Sequence, residues 1–166
     1  GWGARAGSDG TDALANYGAG DLKNFPVEVI ESLYPLRIHK YGLREGSGGD
    51  GEFRGGLGVE REYETLGDGI TVSLWFERTR TPGWGLFGGE PGAPASVEVD
   101  TGDGPREVLK ANRLAVPAGS RVVVRTGGGG GYGDPSNRSD EARERDLIDG
   151  YVTTTPVATA AGTHGE

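Results

Sequence analysis

The chain has 166 residues, enough for one domain with a real core, and carries 17 Lys and Arg against 25 Asp and Glu, a formal net charge of −8. That acidic balance argues against a nucleic-acid partner, because neutralising phosphates takes a basic patch. With no cysteine there is no disulfide, thiolate nucleophile or Cys-ligated zinc, and His39 has no second histidine near it to build a metal site.

No apolar run approaches the ~20 residues of a membrane span and no signal-peptide pattern opens the chain, so no membrane partner and a cytoplasmic location are expected. The chain opens on Gly1 without a methionine, as expected of a fragment, a processed product or a trimmed chain. Its 33 Gly and 9 Pro border on low complexity. The strand patterns point instead to an ordered, turn-rich β domain.

Residues 1–24 are polar and glycine-rich with no period and read as a long loop. From Pro26 a short helix is expected, with Val27, Ile30 and Leu33 inward and Glu28 and Glu31 together on a neighbouring face. After Pro35 the period becomes two, with Leu36 and Ile38 alternating with Arg37 and His39, and Gly42 is expected to mark a bulge. Residues 51–61 form the stretch around which the chain is organised. The glycines at 51, 55, 56 and 58 predict tight turning, with positive φ at some of them, and close approach of another backbone or a ligand. Val59, Arg61 and Tyr63 then share one face and Glu60, Glu62 and Glu64 the other, which reads as solvated. Gly67-Asp68-Gly69 signals a hairpin. The strongest strand follows, with Ile70, Val72, Leu74 and Phe76 on one face. Val97/Val99, Val108, Leu114/Val116 and Val122/Val124 mark shorter strands, with turns at Gly102-Asp103-Gly104 and Pro117-Ala118-Gly119. Residues 140–149 read as a helix capped by Ser139 and ended by Gly150. This spacing predicts a mainly β fold, sandwich- or barrel-like, with glycine-rich loops and a short C-terminal helix.

Few residues point to chemistry by type and spacing alone. Gly128-Gly129-Gly130-Gly131-Tyr132-Gly133 matches the dinucleotide pattern G-x-G-x-x-G, as any glycine run does. Asp134-Pro135 follows it in place of a helix, so close packing of loop backbone is expected there, not a nucleotide. Glu77-Arg78 ends the strongest strand, and an ion pair holding the next loop is expected. Asn24, Glu28 and Glu31 place an amide and two carboxylates where a helix starting at Pro26 can bring them together. The alternative is that Asn24 caps that helix and the glutamates complement its dipole.

Several stretches together resemble one family. In order they are Asn24-Phe25-Pro26-Val27-Glu28-Val29-Ile30-Glu31, Tyr34-Pro35-Leu36, Phe53-Arg54-Gly55-Gly56-Leu57-Gly58-Val59-Glu60-Arg61-Glu62, Glu77-Arg78 with Trp84-Gly85-Leu86-Phe87-Gly88-Gly89, residues 128–135, and Asp149-Gly150-Tyr151-Val152. They are similar to blocks of the hydantoinase B/oxoprolinase family, where the equivalents fall in the C-terminal portion of a longer polypeptide. The resemblance implies a single C-terminal domain over 1–166, with a loop at 1–24, a β-rich body at 25–135, a helix with its caps at 139–150 and a tail at 153–166.

It also implies part of an ATP-dependent cyclic-amide hydrolase. A hydantoinase A-type partner would bind ATP and Mg and phosphorylate the substrate, and the B-type subunit would complete ring opening. The alternatives are a piece of an ATP-dependent ketone carboxylase, or a non-catalytic module docking the A-type partner. The partners implied are the hydantoinase A-type subunit, the remaining N-terminal portion of the B-type subunit and a small cyclic amide. No cofactor or metal is expected on this chain, a carboxylase-type metal site lying upstream of this stretch, and the isolated chain is expected to be inactive. The site candidates are Asn24, Glu28 and Glu31 as catalytic groups and Arg54 and Arg78 as substrate-binding groups. The sequence departs from the family pattern at residues 16–23, in place of an asparagine-rich segment, and at its end, residues 160–166.

Overall fold

The computed structural model describes residues 1–14 and 23–152. The expectations placed on residues 16–22, on the tail at 153–166 and on His164 lie outside the described residues.

Two antiparallel sheets face each other across one apolar layer. The larger runs β1 (Leu36–Leu43), β2 (Val59–Thr65), β7 (Arg121–Arg125), β4 (Ser96–Asp100) and β5 (Arg106–Glu107), in that spatial order. The smaller pairs β3 (Ile70–Trp75) with β6 (Lys110–Val116). Leu74 and Val116 of the small sheet meet Val97, Val99 and Val122 of the large one, all five buried. The period-two pattern puts them there, because alternate side chains leave a strand on opposite faces. The fold is thus a mainly β sandwich.

Three local expectations are corrected. Gly67-Asp68-Gly69 is a turn with Gly69 at φ +76°, but it closes no hairpin, since β2 and β3 lie in different sheets. It carries the chain across the sandwich, as does the turn at 117–119, and the Asp68 carboxylate accepts from the Ala118 amide at 3.1 Å to bind the two crossovers together. The irregularity in β1 falls between Ile38 and Lys40, while Gly42 pairs in register with Glu60. In α1 (Val27–Leu33) Val27 and Ile30 are half-buried, but Leu33 is 67% exposed, because the helix ends there and only its first turns lean on β1.

Glu60, Glu62 and Glu64 face cations on the neighbouring strands and do not form a merely solvated face. Glu60 meets Lys40 at 3.0 Å and Arg125 at 3.1 Å, Glu62 meets Arg121, and Glu64 meets His39 at 2.6 Å. Burial alone would push Glu60 upward, but hydrogen bonds and charge from Lys40 and Arg125 hold it below the ordinary glutamate range.

The second half of the fold is built from glycine-rich backbone without regular sheet. Residues 127–131 run through the middle, with segments 1–4, 47–50, 55–57, 83–86 and 89–93 around them. Gly128 donates to the Ala93 carbonyl (3.0 Å), Gly129 to Gly56 (2.9 Å) and Gly131 to Glu90 (2.9 Å), while Gly49, Ala4 and Leu86 donate back to Gly129, Gly130 and Gly131. A Cβ on Gly128 would lie 1.7 Å from the Ser47 oxygen, on Gly129 1.8 Å from that of Trp2, on Gly130 2.0 Å from that of Trp84, and on Gly131 2.0 Å from that of Asp50. Directions therefore return after three residues, to the 47–50 segment, which is the period of an extended polyproline-type helix. Side chains are excluded all round. Glycine is needed here for space and not for handedness: none of residues 51, 55, 56, 58 or 127–131 has a positive φ, contrary to the positive φ expected at some of residues 51–58.

A buried ionic cluster locks this bundle to α2 (Asp140–Ile148), which Ser139 caps through the Ala142 amide and Gly150 (φ +70°) ends. Arg54, 4% exposed, pairs with Asp146 at 3.2 Å and Asp12 at 3.3 Å and lies over the Tyr151 ring at 4.7 Å. Arg138 pairs with Asp146 at 2.7 Å and with Asp9 at 2.8 Å. Burial opposes ionisation of Asp9, but hydrogen bonds from Arg138 and the Arg54 amide hold its carboxyl below the ordinary aspartate range.

Candidate functional site

Two grooves with no shared lining residue receive Asn24 and Arg78, one each, while Glu28, Glu31 and Arg54 line neither. The smaller, about 170 Å³, lies between the segment entering α1 and strands β1 and β2, and Asn24, Ile30, Tyr41 and Arg61 line it. Asn24 does not cap α1. Pro26 occupies that position, and the Asn24 side-chain oxygen accepts from Arg61 at 2.9 Å. The same guanidinium nitrogen donates to the Tyr41 hydroxyl at 2.7 Å and stacks over its ring at 4.0 Å. Glu31 accepts from the Ile38 amide at 2.7 Å, closing the corner between α1 and β1. Glu28 is exposed in the first turn of α1 and makes no hydrogen bond or ion pair with a described residue. The structure thus brings Asn24 to a groove beside a cation and leaves one of the two carboxylates uncommitted.

The larger groove, about 570 Å³, opens between the end of β3, the 83–86 loop and the central glycine run. Arg78 stands at its rim, with its guanidinium 5.6 Å from the Trp84 ring centroid. The expected ion pair with Glu77 is absent: both side chains are exposed, neither pairs with a described residue, and the Arg78 carbonyl anchors the loop by accepting from the Ala95 amide at 3.0 Å. Arg78 also has φ +60°, a conformation that costs a non-glycine residue about 1 kcal/mol or more. Arg54 is remote from this chemistry in character, being buried and committed to two carboxylates.

What sequence reasoning missed is the Asp9–Arg138–Asp146–Arg54 cluster and the bundle it secures. A signal for the bundle was present, since four glycine-rich segments need partners that no single one supplies. No spacing rule pairs Asp9 with Arg138.

The grooves and the bundle belong to a fold shared with known proteins. The family model for hydantoinase B/oxoprolinase matches residues 1–135. The B-type subunit of a putative D-/L-hydantoinase from Pseudomonas sp. (strain NS671) is 34% identical over 155 residues, covering 92% of this chain and 26% of that protein. The crystal structure of the ATP-dependent caprolactamase from Pseudomonas jessenii matches with a TM-score of 0.66 and 33% identity over 76% of this chain and 23% of that one. The nucleotide-free acetone carboxylase structure matches with a TM-score of 0.72 over 90% of this chain and 24% of that one, and at 22% identity it speaks for the fold alone. This chain spans about a quarter of the length of each of these relatives. Among the described residues no helix is long and apolar enough to cross a membrane. The chain belongs to the hydantoinase B/oxoprolinase family.

Proposed function

We propose that the chain is one module of the B-type subunit of an ATP-dependent enzyme that opens cyclic amides. The observation that carries the reading is the alignment of 92% of its length with the B-type subunit of a hydantoinase, together with the 33% identity to an ATP-dependent caprolactamase. An unstrained cyclic amide is a poor electrophile. Phosphorylation on its oxygen withdraws the nitrogen lone pair from resonance with a neutral carbonyl and supplies a leaving group. In this reading an A-type partner binds ATP and Mg and carries out that phosphorylation, and the B-type subunit directs water to the activated carbon. The C–N bond then breaks as the nitrogen takes a proton, and a second water hydrolyses the acyl phosphate left behind to a carboxylate and free phosphate.

Within this chain the Asn24 amide is proposed to hydrogen-bond the ring carbonyl or N–H, its orientation set by Arg61. Of the two glutamates, Glu28 is proposed to orient water and Glu31 to hold the corner that positions Glu28. Alone, without the partner and the rest of the polypeptide, the module is inactive.

The test is turnover of a panel of hydantoins and lactams by the complete B-type subunit with its A-type partner. Asn24→Ala and Glu28→Gln are expected to leave assembly intact and cut ring opening by at least ~10-fold, with ATP hydrolysis partly uncoupled from product. Loss of activity in proportion to loss of stability in both variants would make the segment scaffold only.

A further inference from the structure

The larger groove has features the ring-opening reading does not use. Its rim carries two charged side chains on adjacent residues, Arg78 and Glu77, exposed and paired with no described residue, and the Gly1 ammonium at the groove is committed to the Gly127 carbonyl at 2.9 Å. A guanidinium left without a carboxylate is matched to a planar anion, which it grips through two parallel N–H groups. The walls beyond the rim are apolar, formed by Trp84, Leu86, Phe76 and Trp75. Trp84 is 68% exposed and Trp75 82%, which is costly for indoles that no described residue covers.

The floor is the central glycine run. Its three-residue period puts the amides of Gly127 and Gly130 on one side of the run. Both residues line the groove, and neither amide donates to a described residue, whereas those of Gly128, Gly129 and Gly131 are all paired. A bare backbone floor with two free donors, an arginine and an aromatic wall can hold a carboxylate and an aliphatic chain. The neighbouring Glu77 selects a ligand with a positive end and disfavours a phosphate dianion. The left-handed backbone at Arg78 is held by the Arg78–Ala95 hydrogen bond, so the rim is preorganised before any ligand arrives.

We propose that this groove is a second small-molecule site, one that binds an ω-amino acid, with the carboxylate at Arg78 and the Gly127 and Gly130 amides, the ammonium at Glu77 and the chain along Trp84. The choice of ligand rests in part on the ring-opening reading, because hydrolysis of a lactam yields one carboxylate and one ammonium. The charge pair and the apolar wall select the same zwitterion independently.

The experiment is calorimetric titration of the complete B-type subunit, in complex with its partner, with ω-aminohexanoate. Hexanoate, aminohexane and inorganic phosphate serve as comparison probes. Arg78→Gln is expected to weaken ω-aminohexanoate binding about tenfold or more, as loss of a charge-assisted hydrogen bond implies. Arg78→Lys should retain part of it. Arg78→Gly, which relieves the positive φ, should bind as weakly as the glutamine variant without losing stability. Glu77→Gln should weaken the zwitterion and leave hexanoate unchanged. Binding insensitive to all three Arg78 variants, or phosphate binding tighter than any carboxylate, would overturn the proposal. Arg78-dependent binding by a complex that opens no cyclic amide would leave this site standing and remove the function proposed above. Turnover with no such binding would do the reverse.

Discussion

Replacing Gly130 by alanine sets a methyl group 2.0 Å from the Trp84 carbonyl oxygen and 2.4 Å from its carbon, in the middle of the glycine bundle. Ordinary contact begins near 3.4 Å, so the 83–86 segment or the central run must move by about 1.4 Å. Neither is a flexible side chain that can turn aside. The shift bears on the bonds from Ala4 to the Gly130 carbonyl (2.9 Å), from Leu86 to Gly131 (3.0 Å) and from Gly131 to Glu90 (2.9 Å). Overpacking of ~1–3 kcal/mol and one or two backbone hydrogen bonds at ~0.5–1.5 kcal/mol each give an expected loss of about 1.5–6 kcal/mol. The control is Gly42→Ala in β1, where a Cβ meets nothing within 4 Å and φ is not positive. That change is expected to be neutral or to stabilise by ~0.4–1 kcal/mol through the unfolded chain. Urea denaturation of the complete polypeptide, with unchanged slope as the two-state check, measures both. If Gly130→Ala costs no more than Gly42→Ala, close packing is not why glycine stands there.

Arg54→Met tests the buried cluster. Asp146 keeps Arg138 while Asp12 loses its guanidinium partner, so the cost is expected near ~3 kcal/mol, the lower end for breaking a buried pair, read by the same denaturation. Asp9→Asn tests the sign of a titration. Asp9 is held below its ordinary value in the fold, so its stabilisation is present above the unfolded pKa of ~3.9 and is lost as pH falls toward the folded value. The variant should therefore be less stable at neutral pH and show a shallower decline below about pH 4; an unchanged acid limb would contradict the assignment.

The sandwich was legible because its strands are half-buried, and Leu74, Val97, Val99 and Val116 announce their face by alternation. Partnering was less so. The turn at 67–69 reads locally as a hairpin, and only the burial of both sheets' inner faces sends β3 across to β6. The glycine bundle was legible as close approach but not as an architecture, since a run without side chains carries no hydrophobic period from which to read its neighbours. Among the site candidates, Arg54 stood in a glycine block that marked importance without saying whether for ligand or core. Its burial beneath Tyr151 comes from contacts about ninety residues away in sequence, with Asp146 in α2, which no local pattern encodes.

The most direct measurement of the proposed function is the stoichiometry of the complete B-type subunit with its A-type partner on a cyclic amide such as caprolactam. The expected result is ring-opened amino acid and inorganic phosphate released in equal amounts, with no product when ATP is withheld. Ring opening that proceeds without ATP, or ATP consumption that requires a ketone and bicarbonate and leaves every cyclic amide intact, would contradict it.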